Sequence, residues 1–306
     1  MDNIAFVFSG QGDQFPGMGK ELYDSYPTAK ALFGMYEDIY PGLIEICFSG
    51  SDDDLKKTEI TQPCMYAFET SVYDILTENG FNPSCLAGFS VGEIAALYAS
   101  GAVSAEDGFH LVMTRANAMS RAASDHPALM AAAVKLTADK VEEICSEFKE
   151  AYPVNYNCPG QTVISCAEHV LPDLSSAVKE AGGRLLPLNV GGGFHSPFML
   201  DAVGEFSSAL DKTDILQPQI TLYSNVTGLP YETDPDYMRA LLAKQIISPV
   251  RWNDIIRNII ASGINTFVEI GPGKTLCGLI SRIDPSVKTF HASDLRSIIE
   301  VINILK

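Results

Sequence analysis

The stretch "CLAGFSVGEIAAL", Cys85 to Leu97, decides the architecture. Its first half is a short apolar run of the kind that forms a buried strand. Its second half continues as "VGEIAALYASG", with helical spacing that Gly101 stops. Between them Gly88-Phe89-Ser90-Val91-Gly92 fits Gly-x-Ser-x-Gly, the pattern of a serine held on a sharp strand-to-helix turn. Such an elbow exposes the hydroxyl, and the following N–H groups and the helix N-terminus offer positive potential to a developing oxyanion. The alternative is a glycine-rich turn in which Ser90 only caps the helix.

Outward from the elbow, the chain opens with the apolar run Ile4–Phe8 and a glycine-rich loop, "SGQGDQFPGMGK". Helical spacing covers 29–39, 62–76 and 105–123. The rhythm then changes. "ALMAAAVKL" reads as a strand, 138–150 as a helix, and "PVNYNC-PG-QTVISC" as a hairpin turning at Pro159-Gly160. A helix over 168–181 and a strand "RLLPLNV" complete a β-α-β-β-α-β order, the ferredoxin-like signature. The predicted fold class is therefore α/β, with a ferredoxin-like subdomain at 125–192 inserted into a hydrolase-like core formed by 1–124 and 193–306. The core ends with "NTFVEIGPGKTLCGLI" as strand, tight turn and helix, then the strand "VKTFHA" and a terminal helix.

The 306 residues carry a formal charge of −17, which speaks against nucleic acid as a partner because its phosphates would be repelled. No apolar run approaches the ~20 residues of a membrane span, and "MDNIAFVFSG" lacks the basic start of a signal peptide. Seven scattered cysteines without a C-x-x-C pair point to reduced thiols in the cytoplasm and to no zinc site.

A serine hydroxyl needs a base. Of five histidines, His195 stands apart from His110, His126, His169 and His291 because it leaves the inserted subdomain between "NVGGGF" and "SPFM", where glycines permit close backbone approach. The loops at 9–20 and 271–275 do not fit a Walker A spacing, since Glu21 follows Gly19-Lys20 and Val268 stands where the other loop needs its first glycine. Both follow buried strands, so both are expected beside Ser90, where a backbone N–H from one of them completes an oxyanion hole.

Eight stretches occur in the order seen in the malonyl-CoA:acyl-carrier-protein transacylases: "SGQGDQFPGMG", "TQPCMYAFE", "GFSVGE", "MTRANAM", "VNYNCPGQTVIS", "FHSPFM", "SPVRW" and "EIGPGKTL". The chain resembles that family from about residue 4 to 283. The resemblance implies Ser90 as nucleophile and His195 as general base, with the N–H groups of Gln11 and Val91 as the oxyanion hole. It implies Arg115 as the partner of the malonyl carboxylate and Gln245 as the residue whose main-chain carbonyl holds His195. Phe194 resembles the bulky choice associated with small, unbranched acyl units, and Asn155 and Gln161 belong to the pocket's rim or its support. Phe89 departs from the family, which mostly has histidine before the serine. It can neither donate a hydrogen bond nor carry charge, so the expectation is that it reshapes the pocket wall beside the acyl group and bears on acyl preference.

The implied function is ping-pong transfer of malonyl from malonyl-CoA to the phosphopantetheine thiol of an acyl carrier protein, with no permanent cofactor or metal. Three rivals stand beside it. One is a serine hydrolase using an acid such as Asp107 or Asp125, another a non-catalytic docking module, and the third a stand-alone acyltransferase serving polyketide-synthase carriers. Acidic carriers meet an acidic chain here, but with charges screened at physiological salt a local basic patch can still steer docking, and Lys179, Arg184 and Lys274 are the candidates.

Overall fold

The computed structural model describes residues 3–305; the outermost residues of the predicted core segments, 1, 2 and 306, lie outside them. Five parallel strands form the main sheet: β1 (Ile4–Phe8), β2 (Cys85–Gly88), β7 (Thr221–Tyr223), β8 (Thr266–Ile270) and β9 (Lys288–Ala292). Their order is β7-β2-β1-β8-β9, so the first strand of the chain lies in the middle. Every residue of β1 and β2 is buried, as a parallel sheet covered on both faces requires. Ile4, Phe6 and Phe8 join the cluster built with helices Pro27–Ile39, Thr58–Glu78 and Ala105–Asp125. Ala5 and Val7 point the other way, into the cluster with helices Trp252–Ala261 and Thr275–Ile283. The period-2 alternation of one pentapeptide thus fixes the positions of both helical layers.

The second sheet is antiparallel, with strands β3 (Leu129–Val134), β4 (Ala151–Cys158), β5 (Gln161–Cys166) and β6 (Arg184–Pro187) in the order β4-β5-β3-β6. Helices Ala138–Ser146 and Leu171–Glu180 cover one face, burying Val141, Ile144, Leu174 and Val178 against Ala133 and Ile164. This is the ferredoxin-like arrangement read from the sequence. The hairpin turns at Pro159-Gly160, where Gly160 takes φ +77°.

Several boundaries differ from the sequence reading. The helix expected at 138–150 stops at Ser146, because residues 147–150 turn so that Ala151 can enter β4. Strand β6 ends at Pro187, after which the Leu188 N–H still donates to the Met130 carbonyl at 2.8 Å and Leu188–Val190 line a cavity. The helix expected from 62 begins at Thr58 and carries Pro63 in its second turn. The 168–181 segment is a short 3₁₀ turn followed by the helix from Leu171.

The subdomain is tied to the core by more than its two connections. Val250 pairs with β4 as an extra bridge partner of Asn155, its N–H donating to the Val154 carbonyl at 2.8 Å and its carbonyl accepting from Tyr156 at 2.9 Å. Among the described residues no helix is long and apolar enough to cross a membrane.

Candidate active site

Strand β2 ends at Gly88 and the helix Gly92–Ala99 starts four residues later. A turn this tight needs both glycines. A Cβ on Gly88 would lie 2.1 Å from the Glu93 nitrogen, and one on Gly92 would lie 2.4 Å from the Ser9 carbonyl oxygen. Ser90 sits between them at φ +56°, in the left-handed region that non-glycine residues avoid. The strain is held by neighbours. The Ser90 N–H donates to Asn225 Oδ1 at 2.8 Å, and its carbonyl accepts from Gln245 Nε2 at 2.8 Å.

His195 arrives from the far end of the inserted subdomain, also at a left-handed φ of +60°. Before it, Gly193 is wedged so closely that a Cβ would come within 2.7 Å of both Ala128 and Ser165. After it, Ser196 accepts from Phe198 N–H and donates to the Gly193 carbonyl. His195 Nε2 stands 2.7 Å from Ser90 Oγ, and Nδ1 stands 3.0 Å from the Gln245 carbonyl. A carbonyl can only accept, so Nδ1 carries the proton and Nε2 is left to accept from the serine hydroxyl. Burial and the Arg115 charge push the imidazole down to about 4, which keeps this tautomer neutral at physiological pH.

Arg115 lies on the buried stripe of helix Ala105–Asp125, where it is the one charged residue among Leu111, Val112, Ala116 and Met119. Its guanidinium is fully buried, and among the described residues no carboxylate pairs with it directly. One terminal nitrogen donates to Gln62 Oε1 at 2.7 Å. The other donates to Gln245 Oε1 at 2.8 Å and to Ser90 Oγ at 3.1 Å, and Nε has no partner. The Ser90 hydroxyl is therefore held from both sides, accepting from arginine while donating to histidine.

The counter-charge is one residue removed. Gln245 passes the contact on through Nε2 to Glu93 Oε2 at 2.6 Å, while Glu93 Oε1 accepts from Asn225 N–H at 3.0 Å and Tyr231 O–H at 2.7 Å. Burial pushes the Glu93 carboxyl up to about 7, against the pull of those three donors and of Arg115. Burial likewise lowers Arg115 to about 10, opposed by Glu93, so it remains a cation at neutral pH. The result is a buried guanidinium with an electrostatic partner but without a carboxylate in its fork. That is a preformed seat for an incoming anion.

Gln11 and Val91 both stand beside the elbow, and within the described residues neither backbone N–H is taken by a hydrogen bond. Phe89 packs edge-on against Trp252 at 5.4 Å, and its ring lies 2.8 Å from where a Cβ on Gly10 would be. With Gly10, Gln11, Asn155, Gln161 and Leu279 it walls a cavity of about 370 Å³ between core and subdomain. A groove of about 510 Å³ on the other side is walled by His195, Phe148, Tyr152, Ile247 and Pro249. Phe194 is buried in the large core cluster beside Gly192. Asn155 is buried with an unpartnered Oδ1, and Gln161 accepts from Arg282 at 2.6 Å across the junction. Lys179, Arg184 and Lys274 are all exposed.

Among the described residues the hydrolase alternative finds no triad acid at His195. Asp107 bonds Ser104 at the start of its helix, and the imidazole's Nδ1 is taken by a main-chain carbonyl. Sequence reasoning missed Gln62, Glu93, Asn225 and Tyr231. Glu93 carried a signal, being a charged residue in a helix, "GEIAALYA", whose other residues are apolar or glycine. The remaining histidines lie elsewhere: His126 pairs with Asp201, His169 with Glu150, His291 with Ser293, and His110 is exposed.

Comparison with known proteins gives one answer. The acyl transferase domain family matches residues 5–289. The chain is 36% identical to the malonyl CoA-acyl carrier protein transacylase of Bacillus subtilis, covering all of this chain and 98% of that protein. Its fold superposes on the malonyl CoA-acyl carrier protein transacylase of Clostridium perfringens with a TM-score of 0.95 at 34% identity, over 99% of this chain and 97% of that one. It superposes with a TM-score of 0.94 at 30% identity on a malonyl-transacylase solved in complex with a type II polyketide-synthase acyl-carrier protein, over 99% of each chain. The parallel sheet and the small antiparallel sheet agree with these matches, and the chain belongs to the acyl transferase domain family.

Proposed function

We propose that this chain transfers a malonyl group from malonyl-CoA to the phosphopantetheine thiol of an acyl carrier protein, in fatty-acid synthesis, through an ester on Ser90. The observation that carries the reading is a single oxygen. Ser90 Oγ lies 2.7 Å from a neutral imidazole and 3.1 Å from a buried arginine that has no carboxylate of its own. Nucleophile, base and anion seat thus meet at one point.

Ser90 Oγ attacks the thioester carbon as its proton passes to His195 Nε2. Negative charge gathers on the carbonyl oxygen, where the free N–H groups of Gln11 and Val91 receive it. The tetrahedral adduct collapses, the C–S bond breaks, and CoA leaves with the proton held by His195. The carrier thiol then gives its proton to the same nitrogen as its sulfur attacks the malonyl ester, and Ser90 recovers the proton on release. The Gln245 carbonyl keeps Nδ1–H oriented throughout, and because it bears no full charge it leaves the imidazole a weak base. The free malonyl carboxylate docks in the fork of Arg115, displacing contacts that now go to Ser90 and Gln245.

The reading treats 125–192 as an insert whose rim residues, Asn155 and Gln161, close the cavity over the thioester arm. Phe194 backs His195 from within the core. The seven free thiols fit a reducing, cytoplasmic setting. Phe89 walls the cavity on the Gln11 side, away from Arg115's partners Gln62 and Gln245, so it acts on the thioester arm more than on the acyl tail. Phe89→His is expected to change the KM for malonyl-CoA by several-fold and leave the malonyl-to-acetyl preference in place. A changed preference with constant KM would refute that placement.

The acid limb of kcat/KM follows from His195. A base depressed to about 4 remains unprotonated through the range in which an ordinary histidine gains its proton. Activity should hold from pH 7 down through about 6 and fall only as pH approaches the shifted value. An acid limb centred near the ordinary 6.5 would contradict the electrostatic account.

The function itself is tested by intact mass. Incubation with malonyl-CoA should add one malonyl group to the protein, and a holo carrier protein, but not its apo form, should remove it. A protein that releases free malonate as fast as it loads the carrier is a hydrolase. Since a matched structure pairs a malonyl-transacylase with a polyketide-synthase carrier, the chase should include carriers of both pathways.

A further inference from the structure

The buried guanidinium of Arg115 and the buried carboxyl of Glu93 share one intermediary, the side chain of Gln245. Its Oε1 accepts from Arg115 at 2.8 Å, and its Nε2 donates to Glu93 Oε2 at 2.6 Å and to the Ser90 carbonyl at 2.8 Å. Arginine can only donate and a main-chain carbonyl can only accept, so this amide has one orientation open to it. Glu93 is held as firmly. Asn225 N–H at 3.0 Å and Tyr231 O–H at 2.7 Å donate to its Oε1, so each hydrogen bond that the described residues make to this carboxyl brings a donor. Such a cradle suits a carboxylate rather than an acid, whose O–H would need an acceptor.

The separation of this anion from the fork matters. A carboxylate in direct contact with Arg115 would fill the seat and shut malonyl out. No anion at all would leave a bare buried cation, costly to the fold and strongly attractive to any carboxylate that entered. Glu93 stands one amide away from the guanidinium, whose Nε is without a partner. It offsets the charge without occupying the fork. A malonyl carboxylate that docks on Arg115 therefore meets an anion already in place, and the two repel through a dry interior that screens charge poorly. Tight binding shared by every state along the reaction would not speed transfer, but it would slow departure of a product carrying the same carboxylate.

We propose that Glu93 is a fixed counter-anion that weakens the hold of Arg115 on the malonyl carboxylate, so that the group is captured from one thioester and released on the next. Glu93 touches neither substrate nor reacting atom. It acts through Gln245 and through its charge, as a positioning residue. The inference rests on the reading that Arg115 seats the malonyl carboxylate.

Calorimetric titration of the Ser90→Ala protein, which binds without reacting, tests it with malonyl-CoA and acetyl-CoA as probes. Glu93→Gln keeps the side chain's length and removes its charge, although one acceptor becomes a donor. Acetyl-CoA shares everything with malonyl-CoA except the carboxylate, so general damage to the site cancels in the ratio of the two affinities. That malonyl-to-acetyl ratio should rise by about tenfold in the Glu93→Gln variant. An unchanged or lower ratio overturns the proposal. Release is read in turnover. With Ser90 intact, Glu93→Gln should lower both the KM for malonyl-CoA and the kcat of carrier loading, and a kcat lost with KM raised would refute the role in release.

Should the variant not fold, the Ser90→Ala protein alone gives the answer across pH. Burial pushes the Glu93 carboxyl up to about 7, against its three donors, and a second anion on Arg115 raises it further. Malonyl-CoA thus binds best below that value, where Glu93 holds a proton, and loses affinity as pH rises and the charge appears. The malonyl-to-acetyl ratio should fall severalfold between about pH 7 and about pH 8.5. The groups around Glu93 titrate elsewhere: Arg115 at about 10, His195 at about 4, and Tyr231 well above its ordinary value. Asp74, on the neighbouring helix Thr58–Glu78, bonds Tyr98 at the other end of the Glu93 helix, and Glu69 on that same helix lies beside Gly271. A ratio independent of pH overturns the proposal. Arg115→Ala in the Ser90→Ala protein separates the two levels of the argument. A malonyl preference that survives it places the seat elsewhere, and both readings fall. A preference that it erases but Glu93→Gln leaves unchanged sinks the counter-anion alone.

Discussion

Ser90→Ala should leave no covalent malonyl adduct by intact mass and lower carrier loading by roughly 10⁴-fold or more. The size follows from what the hydroxyl does. It is the atom that bonds to the acyl group, and it accepts from Arg115 while donating to His195. The substitution is structurally mild. Alanine keeps the Cβ, and the backbone bonds to Asn225 and Gln245 that hold the left-handed turn do not involve the side chain. Unfolding temperature should therefore change little, and malonyl-CoA should still bind through Arg115. An adduct on the alanine variant would remove Ser90 from the mechanism.

Arg115→Ala should collapse the preference for malonyl over acetyl donors. Two charge-assisted hydrogen bonds to a carboxylate, at about 2 kcal/mol each, correspond to roughly 10³-fold in kcat/KM for malonyl-CoA, whereas acetyl-CoA makes neither. Wild type rejects acetyl for the complementary reason, since a bound acetyl group fills the site and leaves the cation without its anion. Stability should fall as well, because Gln62 and Gln245 lose their donor and Glu93 its nearest positive charge. Arg115→Lys should recover part of the stability and less of the selectivity, as one ammonium cannot reproduce a planar fork. An unchanged malonyl-to-acetyl ratio in the alanine variant would show that the carboxylate is read elsewhere.

The parts of the fold that were legible in the sequence are those in which local pattern and tertiary role coincide. β1, β2 and the elbow could be read because full burial demands an apolar run and the tight turn demands glycines at both ends. The hairpin at Pro159-Gly160 declared itself through its turn residues. What escaped was short or set by long-range pairing. β7 is three residues long and exists because β2 offers it an edge, and helix Leu43–Ser49 has barely two turns. In the site, Ser90 carries its own motif, whereas Arg115 taken by itself reads as a surface helix arginine and is singled out only by the family resemblance; its place on the buried stripe is a finding of the structure. The residues that tune them, Gln62, Glu93, Asn225 and Tyr231, meet only in three dimensions, and no spacing announces them. The roles of Gln11 and Gln245 depend on main-chain atoms, which every residue possesses, so side-chain chemistry could not single them out.

The place of β1 in the sheet has a consequence for how the protein is made. β1 leaves the ribosome before both strands that flank it, β2 on one edge and β8 on the other, and β8 is not synthesised until residues 266–270. Until then a fully buried apolar strand of the core presents an open edge, the situation that invites wrong pairing or association with another chain. The antiparallel insert, whose strands all lie within residues 129–187, can close by itself while that edge waits. Shielding of the nascent chain by a chaperone should thus matter most between completion of the insert and arrival of β8, and products truncated before residue 266 should be the ones most prone to aggregate.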